Sequence, residues 1–300
     1  MIPRLARALA VSVAGVLGAC SGGPTPAPPA AGVPDTPASP GTAAASRPAA
    51  PDAATIAARE RARVGTLKHL WAKGVAELRW KDESGDHFEQ GDLDLRWCAG
   101  RGLAASVSKF GDRHAWLGSD GVRWWRFSPK ATPPALDVGE VAPSPGRDWS
   151  QVDACSSQPA LLGIAPLVPA EGAVPEVRDG LAWVELSAVA LPRREGERFE
   201  AAFDASTLEP RRCRLVDAWG TEQWSVEFAD FASVEQAGAA PGAWSRVPRR
   251  IVARRGDGSG SLLLVLDARI ADAAAVDRPE LYDLDTLRAR FAPEQVRTVE

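Results

Sequence analysis

Between Ala53 and Lys73, apolar residues recur at near-helical spacing: Ile56, Val64, Leu67 and Leu70-Trp71, with Arg, Glu and Lys on the other face. The pattern predicts a helix ended by Gly74. Beyond it the period changes to two. Ala76, Leu78 and Trp80 share one face of a strand, and Lys81 to His87 is a polar turn. Phe88 to Trp97 then sets Leu93, Leu95 and Trp97 against Asp92, Asp94 and Arg96. Leu103 to Lys109 is a further strand. Arg113 to Gly118 and Val122 to Phe127 flank Ser119-Asp120-Gly121, where glycine supplies the positive φ of a tight hairpin turn. Ala131 to Ser150 is rich in Pro and Gly and reads as a loop, and Asp153 to Leu167 as a short helix bounded by prolines. Strands resume at Leu181 to Ser187, Arg198 to Phe203, Arg211 to Val216, Glu222 to Phe228, Ile251 to Arg254 and Ser261 to Ile270, and a helical patch lies near Asp283 to Phe291. About nine to eleven antiparallel strands on short turns, with a few helices, predict a mainly β (α+β) fold. The expected form is a curved antiparallel sheet whose concave side must be filled by its own helices or by something else.

The first residues follow another logic. Arg4 and Arg7 precede an apolar run from Ala8 to Leu17, which falls short of the ~20 residues that span a bilayer core. It ends in Leu17-Gly18-Ala19-Cys20. Charge, short apolar run, small residues and thiol together predict a signal peptide over 1–19, cut before Cys20, which then carries acyl chains. This is similar to the lipobox of bacterial lipoproteins. Ser at position 21, where Asp would retain such a protein at the inner membrane, implies a protein sent onward. Residues 20–51 are Pro, Ala, Gly, Ser and Thr with almost no large apolar side chain, so they cannot bury enough surface to offset ordering. They predict an extended tether, and 52–300 the folded domain.

Composition removes several function classes. Net charge is −4, and the paired arginines are scattered among acids, so no basic, aromatic-interleaved face suits nucleic acid. His69, His87 and His114 stand isolated, without metal-ligand spacing, and no nucleophile motif or phosphate loop occurs. The glycine-rich Gly256 to Gly260 precedes a strand and reads as a hairpin turn. Neither catalysis, a metal nor a cofactor is expected. After Cys20 three cysteines remain, Cys98, Cys155 and Cys213; one disulfide is possible in an oxidising compartment, and its pairing is left open.

Gly91 to Phe127 runs GDLDLRWCAGRGLAASVSKFGDRHAWLGSDGVRWWRF, and later come Phe203-Asp204-Ala205-Ser206-Thr207-Leu208-Glu209-Pro210 and Val226-Glu227-Phe228-Ala229-Asp230-Phe231. This resembles the LolA/LolB superfamily of lipoprotein carriers. There a G-x-L-x-L strand precedes a pair bearing SDG…WW, an FD-x-x-T-L-x-P turn follows, and a strand closes in F-x-D-F. The resemblance covers about Leu70 to Phe231; residues beyond about Val234 read as an extension or a final strand pair. Leu70-Trp71-Ala72-Lys73-Gly74 is similar to the entry of the LolB branch.

The resemblance implies a half-open barrel closed by helices, with an apolar hollow that shelters acyl chains. Alternation nominates Leu93, Leu95, Trp97, Trp124, Phe199, Phe203, Trp224, Val226 and Phe228 as its lining. Two departures stand out. The strand that in LolA carries a lid-holding Arg reads here Leu103-Ala104-Ala105-Ser106-Val107, and Lys81 to His87 lacks the exposed apolar residue of the LolB membrane loop. The expected protein is an exported, non-catalytic monomer, lipid-anchored in the cell envelope at the outer membrane and facing the periplasm. It would bind acyl chains or lipoproteins. The alternative is a structural or interaction lipoprotein that reuses the fold with its hollow filled.

Overall fold

The structure, a computed structural model, describes residues 51–141, 159–188, 193–269 and 273–299. The signal segment, Cys20, nearly all of the tether, the start of the 153–167 helix and Cys155 lie outside these residues. Helix α1 spans Ala53–Val64 and opens on Asp52, whose carboxylate accepts the Thr55 N–H at 2.6 Å. It ends at Gly65, not Gly74. His69–Asp82 is strand β1, in which Leu70 and Ala72 are buried and Trp71 and Lys73 are not. Leu67 and Leu70 fit a helical and an extended reading equally. The extended form wins because β1 pairs on both sides, with β2 (Gly85–Cys98) and with β13 (Gly260–Arg269).

Two antiparallel meanders share one sheet. The first is β1, β2 (Gly85–Cys98), β3 (Gly102–Lys109), β4 (Asp112–Ser119), β5 (Arg123–Ser128) and β6 (Ala135–Glu140). The second is β7 (Glu176–Arg178), β8 (Leu181–Glu185), β9 (Arg198–Asp204), β10 (Pro210–Val216), β11 (Glu222–Val234), β12 (Ser245–Arg255) and β13 (Gly260–Arg269). Pairing of β1 with β13 joins them, and with β14 (Gln295–Thr298) they make a 14-stranded sheet, ordered β14-β6-β5-β4-β3-β2-β1-β13-β12-β11-β10-β9-β8-β7. The residues beyond Val234 thus supply the seam between the halves. The end strands β14 and β7 do not pair, so the barrel is open.

Several strands exceed the expected set. β6 lies inside the Pro/Gly-rich stretch expected to be a loop, and the polar turn shrinks to Glu83-Ser84. In the 153–167 stretch the described residues, 159–167, open with a 3-10 turn at Pro159–Leu162 and continue without regular structure. β14 (Gln295–Thr298) adds in parallel to β6. Its polar sequence carries no strand signal. Instead Asp137 of β6, 3% exposed, accepts from Arg126 of β5 at 2.8 Å and forms an ion pair with Arg297 Nε of β14 at 2.6 Å.

Each face of the sheet has a core. The concave face holds Ile56 of α1, the 160–167 segment and inward residues from β1–β3 and β8–β13. The convex face beneath β3–β6 is covered by the C-terminal helices α2 (Ala273–Val276) and α3 (Leu284–Phe291), which bury Trp116, Trp125 and Phe127 with Val276, Leu281 and Leu287. Large indoles fit because glycine faces them. A Cβ on Gly139 would stand 2.6 Å from the Trp124 ring, and one on Gly118 2.6 Å from Trp125.

A buried ion pair fixes the concave side. Arg63 donates from Nε and Nη2 to both oxygens of Glu60, at 2.7 and 2.8 Å. Its Nη1 donates to the carbonyls of Gly163 and Arg246, at 2.7 and 2.8 Å. Glu60 also accepts the Leu167 N–H at 3.1 Å. One arginine on α1 therefore ties the 160–167 segment to β12.

Candidate functional site: an apolar cleft under a clamped segment

The concave face is not filled evenly. Along β8–β12, Phe199, Phe203, Trp224, Val226 and Phe228 are all 2% exposed or less and pack against one another, with Phe199 and Trp224 edge to face at 5.4 Å. Along β1–β4 and β13 the inward positions carry smaller residues. Register explains the space: Ala76 faces Gly91 and Gly74 faces Leu93 across β1 and β2, while Leu95 faces Ala105 and Leu93 faces Val107 across β2 and β3. What remains is a small apolar cleft of about 80 Å³, below the roughly 300–1,000 Å³ usual for small-molecule sites. Its walls are Ala76 and Leu78 of β1, Leu93 and Leu95 of β2, Leu103, Ala105 and Val107 of β3, Ala115 and Leu117 of β4, and Leu262 and Leu264 of β13. Leu162, from the segment held by Arg63, closes one side. Glycine is required at Gly91, where a Cβ would lie 2.7 Å from Val107 Cγ1.

Of the nominated lining residues, Leu93 and Leu95 line this cleft. Phe199, Phe203, Trp224, Val226 and Phe228 lie on the same concave side, in the packed half beyond it. Trp97 is half-buried against that core, and Trp124 is buried over Gly139. The nomination favoured large side chains, which occupy space. The cleft forms where residues are small, a signal that appears only once the register pairs Gly with Leu and Ala with Gly.

Polar groups mark the mouth: Glu89, Gln90, Lys109 and His114, with Lys109 Nζ 3.3 Å from Glu89. Next to Lys109, Phe110 and Gly111 form the two-residue turn of the β3–β4 hairpin, with φ of 53° and 84°. Positive φ at both centres is the turn that favours Asn-Gly. Phe110 is instead bulky, and the residue is 96% exposed. Phe110 thus stands at the tip of the β3–β4 hairpin, next to the cleft-lining Lys109, whereas Lys81 to His87 carries no such exposed apolar residue. In the β1–β2 turn His87 stacks on Trp80 at 4.8 Å and hydrogen-bonds Asp82. The Ser84 hydroxyl, with His87, holds the Asp82 carboxyl well below its ordinary range.

The histidines are less isolated than their spacing suggests. On the convex face His69, Cys98 and Asp277 bring potential ligand atoms within 4.8 Å of one another. Cys98 and Cys213 are not bridged to each other.

No family model matches the chain, and neither does any curated protein. Similar solved structures include a LolA superfamily protein from Nitrosomonas europaea, at 14% identity over 79% of this chain and 99% of that one, with a TM-score of 0.49. A domain assigned to outer-membrane lipoprotein sorting, from Vibrio parahaemolyticus, is similar at 14% identity over 71% and 90%, with a TM-score of 0.43. A DUF1329 family protein from Desulfovibrio piger is similar at 11% identity over 74% and 95%, with a TM-score of 0.48.

Proposed function

We propose that this chain is an exported, non-catalytic envelope lipoprotein, held to a membrane through acylated Cys20, whose β1–β4 cleft shelters an acyl chain of a lipid or lipidated protein. The observation that carries this reading is the cleft itself. Its walls are aliphatic, its polar groups are confined to the mouth, and an exposed aromatic stands beside that mouth. Each methylene removed from water contributes about 0.8 kcal/mol, so a cleft covering several methylenes holds a chain without any specific polar contact. Phe110 would enter the interfacial region of a bilayer, where a chain passing into the cleft need not cross water. The Pro/Ala tether would give the domain its reach.

The test is organic extraction of the mature protein purified from membranes, with mass spectrometry of what is released beyond the Cys20 modification. The reading expects stoichiometric acyl-chain lipid, or uptake of a fluorescent fatty acid by the delipidated protein. Neither lipid nor uptake would return the account to the alternative, an interaction lipoprotein, for which the filled Phe199–Phe228 half is the supporting observation. Cys20→Ser tests the anchor separately, and is expected to move the protein from the membrane to the soluble fraction.

A further inference from the structure

We propose that His69, Cys98 and Asp277 form a zinc site that fastens the C-terminal segment to the convex side of the sheet, away from the cleft. Register supplies the first two ligands. His69 and Cys98 are directly opposed in the β1–β2 pairing. Opposed residues project on one face with Cβ atoms about 4.5–5.5 Å apart, a spacing a metal can bridge. The third comes from the segment after α2. Val276 is fully buried, and its carbonyl accepts the Tyr282 hydroxyl at 2.9 Å, which holds the next residue, Asp277, over the strand ends.

The separations suit zinc. Cys98 Sγ lies 3.7 Å from Asp277 Oδ1. With Zn–S near 2.3 Å and Zn–O of about 2.0–2.2 Å, a tetrahedral S···O edge is about 3.6 Å. The widest separation, 4.8 Å, must close to about 3.5 Å, which side-chain rotation of the half-buried His69 can supply. Thiolate, imidazole and carboxylate together select zinc over magnesium or calcium, which take oxygen ligands. Asp277 is exposed, so the fourth position opens to water. Arg101 pairs with the same oxygen, Asp277 Oδ1, and would stay on its second lone pair as an outer partner while the first binds the metal. On binding, the Cys98 thiol releases its proton to solvent and the sulfur bonds the metal.

Cobalt reports the thiolate directly. The full chain, in detergent and free of metal, is titrated with Co²⁺. One equivalent should produce a sulfur-to-cobalt charge-transfer band with tetrahedral visible bands, and Zn²⁺ should displace them. Cys98→Ser should abolish the charge-transfer band. His69→Ala and Asp277→Asn should weaken Co²⁺ binding by more than the roughly 10–100-fold that loss of an outer partner costs. Cys20→Ser, Cys155→Ala and Cys213→Ala, made singly, should each retain the band, and tryptophan emission confirms that each variant is folded. Absence of the band, its persistence in folded Cys98→Ser, or unchanged affinity in folded His69→Ala would overturn the site.

Discussion

Arg63→Met removes the clamp between α1, the 160–167 segment and β12. The deletion leaves the Glu60 carboxylate, 0% exposed, with the Leu167 N–H as its remaining partner of the clamp. It also takes the charged donor from the carbonyls of Gly163 and Arg246. Breaking a buried pair by removing one partner costs about 3–5 kcal/mol, a large share of the roughly 5–15 kcal/mol that holds a domain folded. The loss should appear as a lower urea midpoint with an unchanged slope. Amide exchange should rise first over 160–167, because those backbone groups lose their fixed partner. Glu60→Leu combined with Arg63→Met leaves no buried charge. It should fall short of the summed single losses by about 1–3 kcal/mol. A cost for Arg63→Met below about 1 kcal/mol, the range of exposed pairs, would refute the clamp.

Other outcomes follow from single contacts. Gly139→Ala drives a methyl to 2.6 Å from the Trp124 indole and should cost about 1–3 kcal/mol by overpacking. Gly74→Ala, with its Cβ 1.8 Å from a backbone oxygen of β13, should cost more, since no side chain can turn aside; thermal melts rank the two. Phe110→Asn should stabilise by on the order of 1 kcal/mol, because Asn tolerates the left-handed turn, while reducing binding of the delipidated protein to vesicles. Acid should destabilise the fold. Asp204, held low by the Ser206 hydroxyl and the Thr207 N–H, and Asp283, held low by Thr286, have folded pKa values below their unfolded values. Their contribution is complete above the unfolded value near ~3.9 and is lost as pH falls through the folded one. Urea midpoints should therefore begin to drop below about pH 5 and still be falling at about pH 3, and Asp204→Asn should flatten that slope.

Much of the sheet was legible because alternation reports burial on one face. Phe88 to Trp97, and the hairpin about Ser119-Asp120-Gly121, are strands as read. Asp120 Oδ1 accepts the Val122 and Arg123 N–H groups in that turn. Leu67 to Trp71 misled because its spacing satisfies two periods, and tertiary pairing decided between them. β14 was invisible because an ion pair to Asp137, not apolar content, secures it. The cleft was half legible. Leu93 and Leu95 follow from alternation, but the hollow depends on Gly74, Ala76, Gly91 and Ala105, whose meaning lies in what stands opposite them. The metal-ligating group was hidden for a related reason: His69 and Cys98 meet through register, and Asp277 arrives from the far end of the chain.

The central claim is that acyl chains occupy the β1–β4 half of the concave face. A long-chain fatty acid bearing a diazirine, bound to the delipidated protein and photolysed, tests it most directly. Peptide mapping should place the label on Gly91 to Leu95, Leu103 to Val107 and Leu117, and Ala105→Phe, which fills the cleft, should remove it. Label confined to the Phe199–Phe228 half, or equal labelling of Ala105→Phe, would contradict the account.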